Sequence, residues 1–317
     1  MKVLSFDDVS KLVSRQDAFQ AVANALLRLE QGRVLMPEQV ALLLPGGGEV
    51  HIKGGYELGS QWFAFKVASG GFAGGNNEGF TIAMSAQTGK IVALMADRGW
   101  LTEVRTAAAG ALATSLMARP DATRVAILGT GVQARHQVEA LKALRPISEI
   151  FVWGRTPAHA HAFAGEVGGE VCATVEDAVR TADIVYTVTM ARSPVLRGEW
   201  LAEGTHVTAI GADMVGKREL DEFCLERAHH IACDDVDLSR RVGELQYGGS
   251  SSERAVSLGA ILANEVVGRC SAKDITVADL CGLGAEDVAM ASLVMERIGE
   301  WSGAATPRWD REQAGIV

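Results

Sequence analysis

The sequence predicts an α/β protein: a parallel sheet covered on both faces forms one domain, and a smaller α+β arrangement forms a second. Three observations predict it. After Asp121, short apolar runs alternate with helical patterns, which is how β-α units feed a parallel sheet. Before Trp100, β-rich runs are separated by tight Gly and Pro turns, which suits hairpins. Between the two lies a stretch dominated by Ala and Gly, Arg105 to Ala118, stopped by Pro120. A helix of such small side chains permits close packing.

The elements follow in order. Ser14 with Asp17 three residues on opens a helix whose Phe19, Val22, Ala23, Leu26, Leu27 and Leu29 fall at helical spacing, and Gly32 ends it. Val40 to Leu44, the Pro45-Gly46-Gly47-Gly48 turn and Val50 to Lys53 predict a hairpin, and Trp62 to Ala68 a third strand. Phe80 to Ser85 and Ile91 to Ala96, turning at Thr88-Gly89, make a second hairpin. One helix on a mostly antiparallel sheet is therefore expected for the first hundred residues. Beyond them, strands are expected at Val125 to Leu128, Ile150 to Trp153, near Val171, Ala182 to Val188, Val207 to Gly211 and His230 to Cys233. Helices are expected through Leu144 and after Pro157. Two more, Ala255 to Val267 and Ala285 to Trp301, flank a short strand, Ile275 to Asp279. The expected domains are 1–118 with 290–317, and 119–289.

Composition narrows the function. Hydrophobic residues are 48% of the 317 and charged residues 22%, a balance that excludes disorder. The net charge is −9 with basic residues scattered, so no patch for nucleic acid is visible. Cys172, Cys224, Cys233, Cys270 and Cys281 are odd in number and never form a C-x-x-C pair, which reads as reduced thiols of a cytoplasmic protein. No apolar run approaches the ~20 residues of a membrane span, and Met1 to Ser5 shows no charged stretch followed by an apolar run, so no signal peptide is expected.

Val125-Ala126-Ile127-Leu128-Gly129-Thr130-Gly131-Val132-Gln133-Ala134 is a strand running through G-x-G-x-x-A into a helix, the fingerprint of a Rossmann-type dinucleotide site. Gly129 makes the turn, Gly131 admits a pyrophosphate, Ala134 packs helix on strand, and the helix N-terminus faces the anion. At the end of the second strand, where an acid would bind the ribose of NAD, stands Trp153-Gly154-Arg155-Thr156. Arg155 and Thr156 could hold a 2′-phosphate, so NADP(H) is favoured over NAD(H). Thr189, Met190 and Gly211, at later strand ends, complete the expected cofactor residues.

Other polar residues stand out. Lys66 lies in an otherwise apolar strand, so its ammonium needs a partner or a cleft, unless it snorkels to the sheet edge. Lys53 is a weaker case of the same kind. Arg105, near the N-terminal end of the alanine-rich helix, suits a carboxylate, although a surface ion pair is the plainer alternative. Asp213 follows a parallel strand at its carboxyl end, where ligands meet such sheets, but loop aspartates also simply form turns. His229-His230 with Asp234, Asp235 and Asp237 fits no zinc or calcium spacing, and no metal is expected. Neither a G-x-S-x-G elbow nor a P-loop is present.

Taken together, Leu101-Thr102 with Arg105-Thr106-Ala107-Ala108, the glycine fingerprint, Trp153-Gly154-Arg155-Thr156, Gly211-Ala212-Asp213 with Gly216-Lys217 and Glu219-Leu220, and Asp279 to Gly284 with Glu286-Asp287 resemble the ornithine cyclodeaminase and mu-crystallin family. The resemblance spans nearly the whole chain. It implies a Rossmann domain beside a substrate and dimerisation domain, and a homodimer. By the same resemblance, Lys66 contacts substrate, Arg105 binds its carboxylate and Asp213 meets its amine. Two positions depart from the family pattern: Gln39 stands where many members carry a second carboxylate-binding arginine, and Phe80, one place before Thr81, where a threonine is frequent. The leading expectation is an NAD(P)H-dependent reductase of a small imino acid, or the reverse amino-acid dehydrogenase. The alternatives are a cyclodeaminase-type lyase converting ornithine to proline and ammonia with recycled NAD, and a non-catalytic NADPH-binding protein.

Overall fold

The computed structural model describes residues 1–72 and 78–299, and the chain divides into two compact units. The first is Met1–Ala108 with the segment from Leu283, and the second is Ala109–Gly282. The division falls inside the alanine-rich helix and at the head of the last one, ahead of the expected boundaries at 118 and 290.

Unit one begins with β1 (Lys2–Ser5), α1 (Phe6–Leu12) and α2 (Arg15–Glu30). Ser14 caps α2, its hydroxyl accepting from the Asp17 amide while the Asp17 carboxylate bonds the Ser14 amide. The strands are β2 (Val34–Leu35), β3 (Val40–Leu43), β4 (Glu49–Glu57), β5 (Trp62–Gly70), β6 (Glu78–Ser85) and β7 (Ile91–Ala96), followed by α3 (Trp100–Met117). They form one sheet in the order β1-β7-β6-β5-β4-β2, with β3 also on β4. The hairpins are antiparallel, whereas β1 pairs β7 in parallel. β1 and α1 lie outside the expected elements: Lys2–Ser5 alternates no apolar face, and the seven residues of α1 bury only Val9.

Along β5, Trp62, Ala64 and Lys66 are buried while Phe63, Phe65 and Val67 are half-exposed. This period of two divides the sheet into a packed face and a more open one.

Unit two runs β8 (Arg124–Leu128), α4 (Val132–Leu144), β9 (Glu149–Trp153), α5 (Pro157–Val167), β10 (Glu170–Val171), α6 (Val175–Arg180), β11 (Ile184–Thr187), β12 (Arg192–Leu196), β13 (His206–Ala209), β14 (Arg218–Leu220) and α7 (Glu222–Arg227). It continues with β15 (His230–Cys233), α8 (Val236–Val242), β16 (Val256–Ser257), α9 (Leu258–Leu262) and β17 (Thr276–Asp279). Eight parallel strands lie in the order β10-β9-β8-β11-β13-β17-β15-β16, and β12 pairs β14 apart from them. The chain winds outward from β8 in one direction and then from β11 in the other, so the order reverses between these two strands. That reversal is where open parallel sheets bind ligands. The central strands β11, β13 and β17 are wholly buried, as a sheet covered on both faces requires.

The helix expected over Ala255 to Val267 is only α9, five residues long, because Asn264 takes a left-handed φ of 59° and turns the chain out. The last helix, α10 (Gly284–Arg297), returns to unit one and packs on α2, β4 and β5. The expected end at Trp301 lies outside the described residues. Gly284 permits that docking: a Cβ there would stand 2.1 Å from the carbonyl oxygen of Gly54. Among the described residues no helix is long and apolar enough to cross a membrane.

Candidate active site

In unit one, four adjacent strands set a single row across the packed face. Lys53 on β4 opposes Lys66 on β5, which opposes Thr81 on β6, and Thr81 opposes Met95 on β7. All four are buried. Buried ammonium groups need anions, and α10 supplies them from its first turn. Lys66 Nζ lies 3.3 Å from Asp287 Oδ1, and Arg105, in the second turn of α3, reaches the same oxygen through Nε at 3.2 Å. Arg105 Nη1 donates to Glu286 Oε2 at 3.0 Å.

Burial drives Lys66 down to about 7, aided by the nearby charges of Arg105 and Lys53 and opposed by Asp287. Burial would push Asp287 up, but Lys66, Arg105 and Lys53 outweigh it and hold the carboxyl below the usual carboxylate range. The arrangement is therefore an ionised Asp287 beside a lysine poised to exchange its proton near neutrality. Asp97, just after β7, accepts from the Leu101 amide at 2.7 Å and is raised by burial to about 6.

The structure thus gathers Lys53, Lys66 and Arg105 in one unit. It does not bring Phe80 to them: Phe80 opposes Val67, on the more open face, and Thr81 takes the place beside Lys66. A one-residue step along a strand exchanges faces, so Phe80 and Thr81 cannot both stand beside Lys66. Gln39 lies half-buried just before β3 and makes no hydrogen bond to the three cations among the described residues. Glu286 and Asp287 belong to the segments that carry the family resemblance, but the sequence assigns them no role of their own, since acids in a helix's first turn ordinarily serve the helix dipole.

In unit two the glycine turn links β8 to α4. Gly129 has φ 127°, and a Cβ on it would meet the Val188 carbonyl oxygen at 2.7 Å, so only glycine serves. Gly131 differs: it has ordinary backbone angles, and no atom lies within 4 Å of where its Cβ would be. It is also the N-cap of α4 without any side-chain cap. An uncapped helix N-terminus with a cleared approach fits a pyrophosphate. Arg135 braces the turn, donating to the carbonyls of Thr130 and Gly131 at 2.9 and 3.1 Å. Ala134 is fully buried against the strand, while Val132 is exposed and Gln133 half-buried. Arg155 and Thr156 are exposed at the end of β9, and the Thr156 hydroxyl does not cap α5.

Glu219, on β14, holds the later loops. Its Oε1 accepts from the Thr189 amide and hydroxyl, both at 2.6 Å, and its Oε2 from the Thr187 hydroxyl and Gly211 amide, both at 2.7 Å. Met190 is exposed. Burial pushes Glu219 up, opposed by the hydrogen bonds it accepts from Thr189, Thr187 and Gly211. Asp213 is paired with Lys217 at 2.7 Å within the loop after β13. Elsewhere in this unit, His230, Cys270 and Asp274 bring ligand atoms within 4.8 Å of one another, an arrangement compatible with a metal ion; the sequence had grouped His230 with Asp234, Asp235 and Asp237 instead. In the structure the His230 imidazole is hydrogen-bonded to Asp274 at 3.1 Å.

A doubly wound unit with an open glycine turn, and a second unit with buried cations suited to a carboxylate, define the class of two-unit, dinucleotide-binding α/β proteins acting on small acids. The chain belongs to the ornithine cyclodeaminase/mu-crystallin family, whose model matches residues 1–302. It is 36% identical over 315 residues to a protein of Sinorhizobium fredii (strain NBRC 101917 / NGR234) named as an uncharacterized cyclodeaminase, covering 94% of this chain and 93% of that one. Its structure matches an archaeal alanine dehydrogenase dimer with bound NAD at a TM-score of 0.86 and 30% identity, covering 97% and 99% of the two chains. It also matches the Delta(1)-pyrroline-2-carboxylate reductase of Thermococcus litoralis, in complex with NADH and L-proline, at a TM-score of 0.87 and 27% identity, covering 96% and 100%.

Proposed function

We propose that this protein is a nicotinamide-dependent oxidoreductase that reduces a small imino acid to the amino acid, or runs the reverse. The observation that carries this reading is the buried cluster in which Lys66 and Arg105 converge on Asp287. Lys53, Lys66 and Arg105 lie buried together beside Asp287 and Glu286, a setting suited to a substrate carboxylate. Arg105 and Lys53 hold that carboxylate and so fix the C=N carbon, which is catalysis by positioning. Lys66, near its midpoint at neutral pH, donates or accepts the proton at the substrate nitrogen. Asp213 serves as a further acid that steadies the iminium. The dinucleotide supplies or accepts the hydride when bound, held by Gly129, Thr130, Gly131, Val132, Gln133, Ala134, Thr189, Met190 and Gly211.

NADP(H) is the preferred cofactor in this reading, because the end of β9 offers exposed Arg155 and Thr156 and no acid. Unit one is the substrate and dimerisation domain and unit two the cofactor domain. The working form is a homodimer: Leu35, Val40, Leu42 and Leu43 are exposed on β2 and β3, and Ile52 and Phe80 on the open face, apolar side chains that a second copy would cover. All five cysteines are free thiols, which supports a cytoplasmic setting.

The test is a panel of cyclic and linear imino acids, with ornithine, against NADPH and NADH. Stoichiometric loss of nicotinamide absorbance with an imino acid is expected. Arg105→Ala should lower turnover about 100-fold, the order of one lost buried charge-assisted contact, and Arg155→Ala should narrow the NADPH preference. Ammonia and proline from ornithine without net absorbance change would assign the lyase. Full turnover by both Arg105→Ala and Lys66→Ala would remove the site.

A further inference from the structure

The two oxygens of Asp287 are treated unequally. Oδ1 receives both Lys66 and Arg105, whereas Oδ2 is buried and has no hydrogen-bond partner among the described residues. The residue is only 4% exposed, so bulk water does not solvate that oxygen. Two carboxylates with structural duties, Asp183 and Glu219, look different. Asp183 accepts from Arg119 and Arg124 on one oxygen and from the Thr123 and Arg124 amides on the other. Glu219 likewise fills both oxygens. Asp279 also has one bare oxygen, but burial raises that carboxyl to about 7, so a proton can reside on it. Asp287 is held ionised by its three neighbouring cations, and its bare oxygen carries charge. An ionised acceptor left without a donor is costly, and the cost is relieved by a ligand that brings an N–H.

We propose that Oδ2 of Asp287 is the acceptor for the N–H of the substrate's imine or amine nitrogen, beside the cations that hold its carboxylate. This rests on the imino-acid reading above and assigns the nitrogen's partner within it. An iminium N–H matches the site better than a neutral donor, because it brings a positive charge to an oxygen that neither Lys66 nor Arg105 engages. Lys66 shares the same carboxylate, so substrate nitrogen and lysine ammonium meet at adjoining oxygens, where a proton passed between them travels a short way. Asp287 would thereby discriminate between substrates carrying nitrogen and ring analogues carrying oxygen.

The experiment measures binding of L-proline and of tetrahydrofuran-2-carboxylate, which replaces the ring N–H by oxygen, to the intact protein with NADPH. The unsubstituted protein should prefer proline on the order of 10- to 100-fold, the range of a hydrogen bond to a charged group. Asp287→Asn should remove most of that preference while leaving the oxygen analogue's affinity within a few-fold. Thermal melting and NADPH binding report whether the variant is folded. Should it not fold, Asp287→Glu retains the charge on a longer stem and should keep a reduced preference. Proline and analogue weakened equally, or an undiminished preference in the variant, would overturn the assignment alone. An unsubstituted protein that binds neither probe and reduces no imino acid would overturn the functional reading, and this assignment with it.

Discussion

Glu219→Gln is the sharpest probe of the cofactor unit. Two hydrogen bonds end on each carboxylate oxygen, one of each pair from a main-chain N–H, at Thr189 and at Gly211. A glutamine keeps one acceptor oxygen and turns the other into a donor. The threonine hydroxyl on that side can rotate and accept, but the main-chain N–H cannot. Whichever way the amide is turned, one half-buried main-chain N–H is orphaned and faces another donor, at about 2 to 3 kcal/mol. For a unit of this size that corresponds to a fall of roughly 4 to 12 °C in Tm. Calorimetry reads it, and fluorescence titration with NADPH should show weaker binding, because Thr189 and Gly211 lose their common tether. A Tm within about a degree of the unsubstituted protein would refute the reasoning. It would mean that Glu219 is protonated in the fold, as burial favours, and that glutamine simply imitates it.

Two further outcomes are expected. Gly131→Ala places its methyl in open space with ordinary backbone angles, so Tm should hold or rise slightly. Dinucleotide affinity should nonetheless fall roughly tenfold or more from the crowded approach, and undiminished affinity on titration would detach the turn from the cofactor. Asp97 has its carboxyl raised from 3.8 to about 6, so its stabilising contribution is complete below pH 3.8 and is lost as pH rises through 6. That difference amounts to about 3 kcal/mol. Asp97→Asn keeps an acceptor for the Leu101 amide, so its Tm-versus-pH curve should lack this decline, and curves parallel to the unsubstituted protein would contradict the assignment.

What the sequence disclosed followed the range over which its signals act. The Ser14-Asp17 cap, the hairpins and the Gly129 turn are local, and each lies where its residues indicated. Lys66 was conspicuous because a cation in an apolar strand must be explained. Its partner was invisible, because nothing near Lys66 in sequence announces that Asp287 will dock there. The same holds for Glu219, an ordinary acid until the β11 and β13 loops close on it. Phe80 failed for another reason: matching by residue type cannot resolve the single place that decides which side of a pleated strand a residue faces. α9 fell short because one asparagine turned the chain where apolar spacing alone suggested continuation.

The acids that neutralise Arg105 arrive 181 and 182 residues after it in the chain. During synthesis, the cations of the first unit emerge long before Glu286 and Asp287 leave the ribosome, while the whole of the second unit is made in between. The amino-terminal sheet must wait with its charged interior open, and the final helix acts as the closing bolt. A polypeptide cut before Leu283 should therefore yield a competent second unit attached to a first that cannot shut.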